Sequence, residues 1–237
     1  MNLKLNIVNI NKMLVISSHK NYGKALEKIL GNLKYLNFDL TQVVVVIAGF
    51  DIDKAEYTSE NGVHFIKVAT NFYELTAIYG IHLFLKELFS NEEYFVFIQD
   101  TTILLQHFNS AYTDFINKMR RENADVYYAS LDKRCNIVGL SHNYIEKCGK
   151  EYGITTNKQG AWDVEENRSD LSFQKMAMKY KMKTICYLKP TECAKSTIKY
   201  EGSDIVRIRV FFESLGIIKL VAVNSDINPH WEKRTYP

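Results

Sequence analysis

The sequence predicts a single α/β domain in which a mostly parallel, mixed central sheet is flanked by helices. Three observations point there. Apolar runs such as Val43-Val44-Val45-Val46-Ile47-Ala48 show no polar alternation, as strands covered on both faces require. These runs alternate with segments of helical periodicity, the pattern of strands joined by helical crossovers. The 237 residues are 46% hydrophobic, with three prolines and no Gly/Ser-rich linker or repeat, so one domain over residues 1–237 can bury one sizeable core.

Taken in order, Met13 to Ser17 reads as a buried strand ending in the polar loop Ser18-His19-Lys20-Asn21. Leu26, Ile29, Leu30, Leu33 and Leu36 then share one face of a helix. The strand Val43 to Ala48 ends at Gly49-Phe50-Asp51, and Val63 to Val68 is the next strand. Asn71 is expected to cap a second helix, with Glu74 in capping-box position. Phe72, Leu75, Ile78, Tyr79, His82 and Leu85 form that helix's inner face, and Tyr94 to Ile98 is a strand running into Gln99-Asp100-Thr101-Thr102.

The second half is less regular. Phe115, Ile116 and Met119 predict a helix, and Val126–Ala129 and Asn136–Leu140 predict short strands around Asp132-Lys133-Arg134. Ser141 caps a short helix that stops at Gly149. Residues 151–169 read as a long polar loop, Leu171 to Tyr180 as a helix with Asp170 as its N-cap, and Thr184 to Leu188 as a strand. Ile205–Phe212 and Ile217–Val223 read as a late hairpin or as a strand and an edge.

Composition narrows the function classes. A net charge of +3 with scattered lysines does not indicate a nucleic-acid-binding patch. Cys135, Cys148, Cys186 and Cys193 form no Cys-x-x-Cys pair, so reduced thiols are expected rather than a zinc site. The first residues lack the apolar stretch of a leader, and the longest apolar run is too short to span a bilayer; a cytoplasmic protein without a transmembrane segment is expected. The loop after the first strand holds one glycine, Gly23, and matches neither the G-x-G-x-x-G of dinucleotide folds nor a P-loop.

Ligands of open α/β sheets sit beyond the carboxyl ends of the strands. Those ends carry Ser17, Ser18, His19 and Asn21, then Asp51, then Asn71, then Gln99 and Asp100, and these are the candidate ligand-binding residues. Asp100 stands out, because a carboxylate at the end of a buried apolar run must face a cation, donors or water.

This order of features resembles the GT-A glycosyltransferases over most of the chain. In that family a polar loop after the first strand and an acid after a second strand contact the nucleotide, as Met13–Asn21 and Asp51 would here. A polar segment opening a helix follows, like Asn71-Phe72-Tyr73-Glu74, and an apolar strand then delivers an Asp-any-Asp motif to the diphosphate, like Tyr94–Asp100. Here the motif has one aspartate, with Thr102 in the second place. The resemblance implies a GT-A-like, Rossmann-like domain with a nucleotide-binding half over residues 1–105. An acceptor-binding half and tail would occupy residues 106–237.

The activity so implied is inverting transfer of a sugar from a UDP- or GDP-sugar to an acceptor hydroxyl on a glycan, lipid-linked or protein acceptor, with Mn²⁺ or Mg²⁺. Asp100 and one hydroxyl would suffice for an ion that keeps several waters. The acidic stretch Asp163, Glu165 and Glu166 would supply the acceptor base, with Glu166 preferred and Trp162 placed to stack on a sugar. The tail's His230 would complete the metal site with Asp100, with Asp226 as the weaker alternative. Alternatives are a sugar nucleotidyltransferase on a similar core, which the absent glycine-rich loop disfavours, and a non-catalytic nucleotide- or sugar-binding relative.

Overall fold

The computed structural model describes residues 11–73, 75–130, 137–156, 158–165, 169–188, 194–198, 206–210 and 215–222, with the backbone alone for 130, 158, 159, 162, 165, 187, 188, 194–198, 206–210 and 218–222. The strands are β1 (Lys12–His19), β2 (Val43–Ala48), β3 (Glu56–Glu60), β4 (Val63–Lys67), β5 (Tyr94–Gln99), β6 (Thr102–Leu104), β7 (Val126–Ser130), β8 (Val138–Ser141), β9 (Thr184–Leu188), β10 (Ala194–Ile198), β11 (Val206–Val210) and β12 (Ile217–Ala222). The helices are α1 (Gly23–Tyr35), α2 (Thr76–Leu88), α3 (Phe108–Arg121), α4 (His142–Cys148), α5 (Lys158–Glu165) and α6 (Phe173–Lys179), with short 3₁₀ turns at Leu40–Gln42 and Gly149–Tyr152.

Eight strands form the central sheet in the order β3-β4-β2-β1-β5-β8-β7-β9. The run β4-β2-β1-β5 is parallel, β3 and β8 are antiparallel to their neighbours, and β9 is again parallel to β7. The sheet is therefore mixed, with a parallel centre. The uniform apolarity of β1, β2 and β5 has a direct cause, because alternate residues feed two cores. Met13, Val15, Val44, Val46, Phe95 and Phe97 face one, and Leu14, Ile16, Val43, Val45, Val96 and Ile98 face the other.

Helices cover both faces. On the first lie Ile78, Ile81 and Leu85 of α2, Tyr144 and Ile145 of α4, Ala161 and Val164 of α5, and Phe173 and Met176 of α6. On the second lie Leu26, Ile29 and Leu33 of α1 and Phe108, Tyr112, Phe115, Ile116 and Met119 of α3. A smaller sheet, β10-β11-β12-β6, joins the second core through Leu104 and Ile217. Its β6 is tied to α1 by the Leu104 amide, which donates to Asn32 Oδ1 at 2.9 Å.

Several sequence expectations need correction. Asn71 does not cap α2, which begins at Thr76. Its side chain instead accepts from the Tyr73 amide at 3.1 Å, an Asx turn that holds Tyr73 at φ +52°; Glu74 is outside the described residues. Residues 151–169 are not all loop, because α5 forms where Ala161 and Val164, three apart, are buried. Ser172 caps α6 by accepting from the Lys175 amide, whereas Asp170 is exposed and pairs with Lys175 at 3.2 Å. The strand β3 was not expected; it forms a two-residue hairpin with β4 through Asn61 and Gly62, at φ +52° and +84°, the Asn-Gly turn whose twist suits such hairpins. The late pair β11–β12 is an antiparallel hairpin, and the unexpected β10 and β6 flank it.

Candidate ligand-binding cleft

The parallel centre of the sheet contains its topological switch point. From β1 the chain crosses to β2 on one side, and β5 lies on the other. The register aligns the strand ends, with Ser17 opposite both Val46 and Gln99 and His19 opposite Ala48. Connections leaving β1 and β5 diverge here and open a crevice. A cleft of about 390 Å³ occupies it, lined by Ser17, Ser18, His19, Asn21, Tyr22, Ala48, Asn71, Tyr73, Gln99, Asp100 and Thr101.

The floor is polar and buried. Ser17, Ser18 and Asp100 are each 7% exposed. Ser18 Oγ donates to Asp100 Oδ2 at 2.7 Å, and the Asp100 amide donates to the Ser17 carbonyl at 3.1 Å. A carboxylate so enclosed is held by a charge-assisted hydrogen bond and by the backbone turn that carries it. Above it stand Tyr22 and Tyr73, both 39% exposed, from the connections after β1 and β4. Burial first, then the charge of Asp100, then Tyr73, pushes the Tyr22 hydroxyl above the usual phenol range.

His19 forms one wall. The Asn21 amide donates to its Nδ1 at 3.3 Å, and its ring lies 5.7 Å from that of Tyr22. Burial, then the Lys20 charge, holds the imidazole below its ordinary value. Gly49, at φ +84°, permits this placement: a Cβ there would lie 2.4 Å from His19 Nε2.

The opposite rim is fixed by Asn71. Its amide donates to Thr155 Oγ1 at 3.3 Å, and its carbonyl accepts from the Thr156 amide at 3.1 Å. The segment entering α5 is thus fastened to the cleft.

Of the expected site residues, Ser17, Ser18, His19, Asn21, Asn71, Gln99 and Asp100 line this one cleft. Asp51 does not; it is exposed in the connection after β2. Thr102, expected to stand beside Asp100 as a second metal-side group, belongs to β6 and is not a lining residue. Asp163 is half-buried on α5 and lies outside the lining, its carbonyl accepting from the Ser169 amide at 2.9 Å. The side chains of Trp162 and Glu165, and all of Glu166, Asp226 and His230, are outside the described residues.

Tyr22, Ala48, Tyr73 and Thr101 were not among the expected binding residues. For the tyrosines the available signal was an aromatic ring inside a polar loop. Among the described residues no three His, Cys, Asp or Glu side chains gather into a metal-binding group. Cys148 is buried in the first core, where burial pushes its thiol up to about 12. No described helix is long and apolar enough to cross a membrane.

No model of a known protein family matches the chain, and no curated protein sequence matches it. Among solved structures it is similar to a cytidylyltransferase from Leptospira borgpetersenii serovar Hardjo-bovis (strain JB197), with a TM-score of 0.47 and 16% identity over 76% of this chain and 77% of that one.

Proposed function

We propose that the chain binds a nucleotide-activated sugar in this cleft and transfers the sugar to an acceptor hydroxyl. The observation that carries the reading is the buried Ser18–Asp100 pair at the switch point, with aromatic side chains at the mouth above it. Tyr22 and Tyr73 offer ring faces to a planar base, while Ser17, Asn21, Asn71 and Gln99 offer hydrogen bonds to base and ribose. Departure of a nucleoside diphosphate builds negative charge, which a divalent cation would offset. One carboxylate, Asp100, fits an ion such as Mg²⁺ or Mn²⁺ that keeps waters and takes its other ligands from phosphates. The acceptor base is assigned to Asp163, Glu165 or Glu166, with Glu166 preferred, and His230 is assigned to the cation and diphosphate.

Asp100→Asn tests the binding half of this reading. The amide keeps the size of the side chain and removes the charge. The variant should unfold at the parent's temperature yet bind UDP-sugars or GDP-sugars at least about tenfold more weakly when Mn²⁺ is present. Equal affinity in titration calorimetry would remove Asp100 from the site. Changing the acceptor base to its amide should lower kcat by roughly 10²-fold with donor binding kept.

The placement of Thr102 outside the cleft favours a second reading, a nucleotide-sugar-binding protein without transfer. Binding without turnover of any donor, in the presence of Mn²⁺, would select it.

A further inference from the structure

Five residues other than glycine adopt a left-handed backbone among the described residues: Asn37, Asn61, Tyr73, Asn123 and Lys181. Four have a local cause. Asn37, Asn123 and Lys181 close the ends of α1, α3 and α6, where the following amide returns to a carbonyl five residues back: Phe38 to Leu33, Ala124 to Met119 and Met182 to Ala177. Asn61 belongs to the Asn-Gly turn between β3 and β4. Tyr73, at φ +52°, lies at no helix end and in no hairpin. It is also the aromatic one of the five, and a bulky side chain is disfavoured in this region.

The fold does not use the side chain that carries this cost. Tyr73 is 39% exposed, and among the described residues its hydroxyl makes no hydrogen bond and its ring no ring contact. The ring stands instead at the open mouth of the cleft, as one of its lining groups.

The neighbours of Tyr73 hold it there. Asn71 Oδ1 accepts from the Tyr73 amide at 3.1 Å, and Asn71 is itself fastened through both backbone groups, to Thr155 Oγ1 and the Thr156 amide. Phe72 is buried in the first core, and its amide donates to Thr76 Oγ1 at 2.5 Å. The Tyr73 carbonyl accepts from the Thr76 amide at 3.1 Å. A strained residue persists where its surroundings over-determine it, and such residues cluster at ligand sites. Here the turn is fixed by the core, by α2 and by the segment entering α5, so the ring is placed before a ligand arrives.

We infer that Asn71 is a positioning residue that mounts the Tyr73 ring as the face on which the planar ring of a cleft ligand stacks; the identity of that ligand as a nucleotide rests on the proposed cleft reading. Asn71 then acts on affinity mainly through Tyr73. The cost of the left-handed backbone is borne by the free protein, and the ligand meets a ring that needs no further ordering.

The test uses the full chain and calorimetry with uridine and guanosine, then UDP-sugars and GDP-sugars. Tyr73→Gly should bind the tighter nucleoside at least about tenfold more weakly. It should also unfold at or above the parent's temperature, because glycine takes this backbone without strain. Tyr73→Phe keeps the ring and should retain most of the binding. Asn71→Ala should bind at least about fivefold more weakly, and Asn71→Asp, which keeps the accepting oxygen, should recover most of the loss. In the Tyr73→Gly background Asn71→Ala should cost much less affinity than in the parent, the coupling expected of a residue that acts through another. Parent-like affinity in Tyr73→Gly overturns the inference, as does a Tyr73→Gly variant that unfolds well below the parent. An Asn71→Ala loss of equal size in both backgrounds also overturns it. A parent that binds neither nucleoside and no nucleotide sugar overturns the inference and the cleft reading together. Nucleoside binding that depends on the Tyr73 ring, with no UDP-sugar or GDP-sugar bound, leaves the mounted ring standing and removes the nucleotide-sugar reading. Nucleotide-sugar binding unchanged in Tyr73→Gly does the reverse.

Discussion

At the cleft, the positions of His19 and Asp100 each depend on one neighbour. Gly49 is the clearest case. Its left-handed φ of +84° disfavours any side chain, and its missing Cβ leaves the space that His19 Nε2 occupies. Gly49→Ala should therefore cost about 1–3 kcal/mol of stability and displace the His19 ring. Chemical denaturation measures the first effect, and the shift of the His19 imidazole resonances measures the second. An alanine variant with parental stability and an unmoved imidazole would show that the turn tolerates the change. Ser18 acts in the same way on Asp100, holding one carboxylate oxygen at 2.7 Å and leaving the group oriented before any ligand arrives.

At the scale of elements, the starts of α4 and α6 are each capped by a single hydroxyl, Ser141 and Ser172. Ser141 ends β8 and caps α4: its Oγ accepts from the Tyr144 amide at 3.1 Å and donates to Asp125 Oδ1 at 2.8 Å. Asp125 also accepts from the Lys183 amide at 3.1 Å, so the strand end, the helix start and the approach to β9 share one carboxylate. Ser141→Ala should lower stability by about 1–2 kcal/mol, with Ser141→Thr recovering part of the loss. Equal urea midpoints for parent and alanine variant would show that the cap adds nothing. The Ser141 cap was legible in the sequence because a hydroxyl, a short apolar pattern and a terminal glycine are local signals. That Asn71 would not cap α2 was not legible, because its side chain closes an Asx turn five residues before the helix and its backbone is held by Thr155 and Thr156, which are distant in sequence. Helix α5 was also missed, since two buried residues in a polar stretch are too weak a period to read.

Over the whole molecule, stability should be graded from the sheet centre outward. β1 has a strand on each side and side chains in both cores, whereas β3 is an edge strand whose residues are mostly exposed. In hydrogen exchange, the amides of β1, β2 and β5 should exchange last, through global unfolding, and those of β3 much earlier through local opening. Protection in β3 equal to that in β1 would contradict this ordering. The cleft floor rises from the central strands β1 and β5, while Tyr22, Asn71 and Tyr73 of its walls come from the connections after β1 and β4.

Taken alone, the sequence determined the α/β class, the central strands, the principal helices and the polar groups at the strand ends. These follow from hydrophobic periodicity and turn chemistry, which act within a few residues along the chain. Only the tertiary structure decided which strands are neighbours and hence which strand ends meet. It gathered Ser18, Asn71 and Asp100 into one cleft, added Tyr22 and Tyr73, and excluded Asp51 and Thr102. The reason is that sheet register is a non-local choice. It is set by the burial of whole strand faces against two cores, and a one-residue slip would exchange every side chain between them.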